Sequence, residues 1–145
     1  MESTGNARAT HVAFSVPRQP HQCREVRERV AAFARRFRIA DDDLAQLLTA
    51  VGEAVANAIE HSGADGPIEV HCDADGERIV TIVRDGGVGF DADALASPPL
   101  ELPTVDAEHG RGLPIMRRCS DIFSVSSIPG RGTVVVVGRL LRRRA

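Results

Sequence analysis

Residues 51–61 read Val51-Gly52-Glu53-Ala54-Val55-Ala56-Asn57-Ala58-Ile59-Glu60-His61, and the periodicity of this stretch decides how the rest of the chain is read. Its apolar residues continue a stripe through Leu44, Leu47, Leu48, Val51, Val55, Ala58 and Ile59, at the three-to-four spacing of an amphipathic helix. Away from that stripe Glu53, Asn57 and His61 recur at intervals of four, which lines them up as one ridge. Ala50 and Ala54 flank the ridge, and their short side chains leave room beside it. Neither Lys nor Arg occurs between Ile39 and Arg78, whereas a solvated helix face ordinarily carries basic partners for its acids. A carboxylate, an amide and an imidazole in line suit a metal ion and a reacting hydroxyl. Taken alone, the ridge is better read as a solvated face; glycine clusters further along the chain change that balance.

The chain has 145 residues, enough for one domain with a real core. Its formal net charge of -2 gives no general electrostatic reason to bind nucleic acid or an anionic membrane. All 18 basic residues are arginines. The absence of lysine removes the lysine-dependent phosphate loop and Schiff-base chemistry. Trp and Tyr are also absent, which disfavours stacking platforms for single-stranded nucleic acid. No apolar run resembles a signal peptide or spans a bilayer. Cys23, Cys72 and Cys119 are odd in number and far apart, as expected of reduced thiols in a cytoplasm. The spacings of His21 with Cys23 and of His71 with Cys72 match no zinc pattern.

Residues 1–9 read as a loose leader and 142–145 as a flexible end, leaving 10–141 as a single domain. His11 to Val16 alternates as a strand ended by Pro17. Val26, Val30, Phe33 and Phe37 mark an amphipathic helix over 21–37. A second helix opens at Asp41-Asp42-Asp43, which caps it and suits its dipole, and closes at Ser62-Gly63. Strands are expected at 68–72 and 78–84, joined by turn residues 73–76. An irregular stretch over 85–110 comes next, then a short helix over 113–119 with Pro114 in its first turn. Strands at 122–127 and 133–139 complete the chain. This order predicts an α+β fold, a two-layer sandwich with about three helices on one face of a mixed, mostly antiparallel sheet.

Three glycine clusters lie beyond the ridge. Asp85-Gly86-Gly87-Val88-Gly89-Phe90 leaves the strand 78–84 and runs into the proline-bearing stretch instead of returning as a hairpin. Its bland reading is a tight turn. Its functional reading is a carboxylate at the floor of a pocket, accepting a hydrogen bond from an exocyclic amine such as that of adenine. Gly110-Arg111-Gly112-Leu113 directly precedes a helix, whose free N–H groups and positive dipole end suit phosphate. Gly130-Arg131-Gly132-Thr133 is a hairpin turn, or else it sets the Thr133 hydroxyl in the same pocket as Asp85.

Together, and in this order, the helix acid and amide, the Asp-x-Gly-x-Gly, a lid-like loop, the Gly-x-Gly and the Gly-Thr resemble the histidine-kinase-like ATPase superfamily with its Bergerat nucleotide-binding fold. Within it, the single-domain length and the wording Glu-Ala-Val-x-Asn-Ala-Ile-x-His at 53–61 are similar to the bacterial anti-sigma-factor serine/threonine kinases. The resemblance covers roughly residues 10–141 and implies ATP and magnesium as cofactors. It makes Glu53 the general base toward an attacking hydroxyl and Asn57 the magnesium ligand. It gives Asp85 the adenine amine, with Gly87 and Gly89 shaping the pocket and Thr133 supporting Asp85. Gly110, Gly112 and Leu113 fall at the phosphates, and 91–109 becomes the nucleotide lid. His61 is read instead as part of the helix ending.

One departure stands out. Close relatives can carry a lid arginine just before the Gly-x-Gly, but here Asp106-Ala107-Glu108-His109 is acidic. A transferred phosphoryl group needs its charge neutralised, and Arg111 is the nearest candidate. The resemblance implies a protein kinase acting on an anti-anti-sigma type of regulatory protein and controlling a sigma factor by partner switching. The alternatives are a nucleotide-gated binding protein without phosphotransfer, a sibling switch kinase, and an ATPase in which Glu53 activates water. Family members often dimerise, so a homodimer is also implied. The arginines of the first helix and of 142–144 read as solvated faces, or else as docking points for an acidic partner.

Overall fold

The structure, a computed structural model, describes residues 10–61, 66–85, 112–128 and 132–141. Strand β1 (His11–Val16) leads to α1 (Gln22–Ala34), a 3-10 turn (Arg35–Phe37) and α2 (Asp41–His61). The hairpin β2 (Ile68–Ala74) and β3 (Arg78–Asp85) comes next, then α3 (Gly112–Arg118) and the pair β4 (Ile122–Ile128) and β5 (Gly132–Leu140). The five strands form one sheet in the order β1-β2-β3-β5-β4, and all four pairings are antiparallel. The α+β expectation therefore holds, with no parallel pairing among the described strands.

Each helix is placed by its apolar spacing. On α1, Val26, Val30 and Phe33 are buried; on α2, Leu44, Leu47, Val51, Val55 and Ala58 are buried. They pack on the strand positions of one sheet face, which alternate as the pleat requires: Ile68, Val70, Cys72 and Ala74 on β2, Ile79 and Val83 on β3, Val135 and Val137 on β5. Met116 of α3 joins the same core. Burying these side chains is the main source of stability, each large one worth roughly 1.5–3 kcal/mol.

The buried face of α2 is wider than its apolar stripe. Ala50 and Ala54 are fully buried, so they belong to the core and leave no open space beside the ridge. Helix α3 packs against α2 as well. Helix α2 opens at Asp41 as expected, but the Leu44 N–H bonds to the Ala40 carbonyl at 2.9 Å, so the three aspartates fill the first turn and Ala40 stands at the capping position. They still favour the positive end of the dipole.

Two turns carry local signals. Oδ1 of Asp75 accepts hydrogen bonds from the Glu77 and Arg78 N–H groups at 2.7 and 3.0 Å, closing the β2–β3 hairpin. Gly138 sits where β5 comes so near β3 that an added Cβ would stand 2.8 Å from the Ile79 carbonyl oxygen. A glycine there is a packing requirement.

Candidate functional site at one end of the sheet

The sheet has two distinct ends, and the register assigns the site residues to one of them. Val16 pairs with Ile68, Glu69 with Arg84, Asp85 with Thr133, and Thr133 with Ser127. All of these lie at the same end. Asp85 is the last residue of β3 and alternates with Ile79, Thr81 and Val83, so it points to the helix-covered face. It is only 5% exposed. Thr133 lies directly opposite on β5, half-buried, on the same face. A buried carboxylate is costly unless polar groups surround it, and a hydroxyl on the next strand is such a group.

The direction of α2 follows from two arginines. At the far end of the sheet, Arg139 of β5 bonds Asp43 in the first turn of α2 at 2.5 Å. At the site end, Arg18, two residues beyond β1, donates from Nη1 to the Ala58 carbonyl at 3.0 Å. Helix α2 thus runs along the sheet with its second half over the end that holds Asp85. That half carries Glu53 and Asn57, both half-buried and one turn apart.

The orientation of α3 is fixed by the same junction. The Cys119 carbonyl, just past its C-terminus, accepts a hydrogen bond from Nη1 of Arg139 at 3.2 Å, beside Asp43. The N-terminal end of α3, at Gly112 and Leu113, is therefore the end directed away from that junction. The first N–H groups of a helix have no partner within it and are the kind of donor that suits an anion. Gly87, Gly89, Gly110, Arg111 and the expected lid 91–109 lie outside the described residues. His61 is the last residue of α2.

The donor chemistry fits the expected nucleotide and cation. The Asn57 amide oxygen and the Glu53 carboxylate are hard oxygen donors, and magnesium takes one or two such protein oxygens with phosphates and water completing its shell. Among the described residues no group of three or more His, Cys, Asp or Glu is placed to hold a metal. Cys72 is a core residue. Burial pushes the Cys72 thiol up to about 11, which makes it an inert core group bonded to Thr81 at 3.6 Å.

Two arginines that the sequence left unassigned, and Arg27 of the first helix, matter to α2. Arg18 holds its end, Arg139 holds its beginning, and the stem of Arg27 lies over Gly52, where an added Cβ would meet Cδ at 3.2 Å. The basic residues missing from 40–77 reach the helix through tertiary structure. For Arg139 a signal existed: an arginine between the apolar run 134–138 and Leu140-Leu141 is out of place unless paired. For Arg18 nothing in the local pattern points to Ala58.

An antiparallel sheet with three described helices packed on it, and an acid and an amide on the helix half above a strand-end carboxylate, defines the class as an α+β sandwich. Comparison with known proteins makes this specific. Residues 16–138 match the histidine kinase-like ATPase domain, and the chain belongs to that family. An anti-sigma F factor of Clostridium kluyveri is 30% identical over 114 residues, covering 77% of this chain and 80% of that protein. That of Thermoanaerobacter sp. is 35% identical over 109 residues, covering 73% and 76%. That of Bacillus velezensis is 30% identical over 129 residues, covering 86% and 87%. Among solved structures, one of the RsbU and RsbW domains of a Mycobacterium tuberculosis protein superimposes with a TM-score of 0.69 at 18% identity. The match covers 93% of this chain and 34% of that longer one, and it speaks to the fold.

Proposed function

We propose that this chain is an ATP-dependent serine/threonine protein kinase of the anti-sigma-factor type. Its substrate is a regulatory protein of the anti-anti-sigma class, and it controls a sigma factor by partner switching. The observation that carries the proposal is the placement of Glu53 and Asn57 on the half of α2 that overlies the Asp85–Thr133 end of the sheet. The relatives named above are anti-sigma F factors, which supports the same reading.

In this mechanism Asp85 accepts a hydrogen bond from the adenine amine, and Thr133 holds the carboxylate in place. The phosphates lie at the N-terminal end of α3, among Gly110, Gly112 and Leu113, with Gly87 and Gly89 lining the base pocket. Asn57 holds magnesium, which when bound neutralises phosphate charge. Glu53 accepts the proton of the partner's serine hydroxyl as its oxygen bonds to the γ-phosphorus and the bond to the β-phosphate oxygen breaks. Arg111 supplies the positive charge that the acidic stretch 106–109 lacks.

The three free cysteines support a cytoplasmic location, and no described helix is long and apolar enough to cross a membrane. A homodimer belongs to the same proposal and is read by sedimentation of the purified chain. The acidic stretch before Gly110 favours one competing reading, a nucleotide-gated binder that transfers no phosphate. Incubation with γ-labelled ATP and partner protein separates the two: label on partner serine supports the kinase, and ATP binding without transfer supports the binder.

A further inference from the structure

We infer that Arg18 is a positioning residue for the magnesium–nucleotide site, acting by fixing the turn of α2 that begins after Asn57. The inference rests on the assignment of Asn57 as the magnesium ligand.

The Ala58 carbonyl lies in the last turn of α2, on the residue next to Asn57, and accepts a hydrogen bond from the Arg18 guanidinium at 3.0 Å. A cation at this end also meets the negative end of the helix dipole. The bond crosses forty positions of sequence and joins the helix to the sheet at the very end that carries Asp85.

Arg18 is itself held firmly. It sits in a short turn bracketed by Pro17 and Pro20, in which the Gln19 N–H bonds the Pro17 carbonyl at 2.9 Å and the Gln22 N–H bonds the Gln19 carbonyl at 2.9 Å. Val16, the last residue of β1, is buried and anchors that turn to the sheet. Nε and Nη2 of Arg18 are shielded from solvent. A planar guanidinium fixed in this way transmits the position of the sheet to the last turn of α2. The distance from Asn57 to Asp85 is thereby set by a bond and not by helix packing alone. Adenine and magnesium are recognised by those two residues, so the bond governs whether both are engaged at once.

The test is calorimetric titration of ATP into the full chain, once with magnesium and once with EDTA, for wild type, Arg18→Ala and Arg18→Lys. In wild type magnesium strengthens ATP binding. In Arg18→Ala about a tenfold part of that gain is lost, the size expected for one charged hydrogen bond, while magnesium-free affinity changes by less than about twofold. Arg18→Lys, which keeps a donor and a charge, restores part of the gain. An undiminished magnesium gain in Arg18→Ala overturns the inference. So does a parallel loss with and without magnesium accompanied by a lower Tm, which marks a purely structural role. Wild type that binds no ATP in either buffer overturns the site assignment itself. Should Arg18→Ala fail to fold, Arg18→Gln supports the same comparison.

Discussion

Asp85 and Thr133 stand directly opposite one another on β3 and β5, on the helix-covered face, with Ser127 next in line on β4. A carboxylate only 5% exposed at the end of a central strand is ill-suited to stability and well suited to recognising an amine. Asp85→Asn, which replaces a charged acceptor with a neutral amide, is expected to weaken ATP binding about 10- to 100-fold with little change in Tm. Thr133→Val is expected to cost about tenfold or less, through loss of support for Asp85. Calorimetry of ATP binding, with thermal melts as a control for folding, checks both.

Glu53 and Asn57 share a helix face but are assigned different work, so their variants should separate. Glu53→Gln is expected to lower phosphotransfer about 10²- to 10⁴-fold while ATP still binds. Asn57→Ala is expected to weaken ATP binding only when magnesium is present. Binding titrations with and without magnesium, beside single-turnover transfer assays, read the split.

Arg139 is 8% exposed and joins Asp43, the Cys119 carbonyl and, at 3.6 Å, Asp121. Removing one partner leaves a buried charge. Asp43→Ala is expected to destabilise the fold by about 2–4 kcal/mol, the lower end applying because Asp121 still faces the guanidinium. Denaturant unfolding measures this, and an unchanged midpoint would show that the pair is dispensable.

Two glycines that look alike in sequence should respond differently. Gly138→Ala drives a Cβ against backbone, 2.8 Å from the Ile79 oxygen, and is expected to cost about 2 kcal/mol or more. Gly52→Ala meets only the flexible stem of Arg27 at 3.2 Å and gains helix propensity. It is expected to be neutral or slightly stabilising, as melting temperatures will show.

On the sheet face away from the helices, His71 and Glu69 respond to pH with opposite sign. Burial, with His11 and Arg84 nearby, holds His71 below its usual 6.5. Its neutral form is the folded one, so its contribution is lost as pH falls from 6.5 through the lowered value. Burial raises Glu69 above 4.5 against the opposing pull of Arg84. Its charged form is disfavoured in the fold, so stability falls as pH rises from 4.5 through the raised value. The two partly cancel in wild type. His71→Gln should remove the loss on acidification, and Glu69→Gln should remove the loss on alkalinisation, in melts recorded from pH 4 to 7.

The elements were legible because their periods are clean. The α2 stripe and the alternation of β2 each dictate one structure with one buried face, and the valine run of β5 dictates a strand buried on both. The Asp85–Thr133 pairing was legible as a possibility, since strand ends bearing polar residues beside glycine invite it, but only register makes it a fact. What the sequence concealed depends on long-range contact. Ala50 and Ala54 read as open space because the tertiary contacts that bury them are invisible to local pattern. Arg18 and Arg139 read as ordinary arginines for the same reason: their partners lie forty and ninety-six positions away.

The central claim is that this fold transfers phosphate to a protein. Its most direct test is label transfer from γ-labelled ATP, with magnesium, to the co-purifying regulatory partner. Label is expected on a partner serine with wild type, and not with Glu53→Ala, which still binds ATP. Wild type that binds ATP but leaves the partner unlabelled, or releases the label only as inorganic phosphate, would contradict the claim.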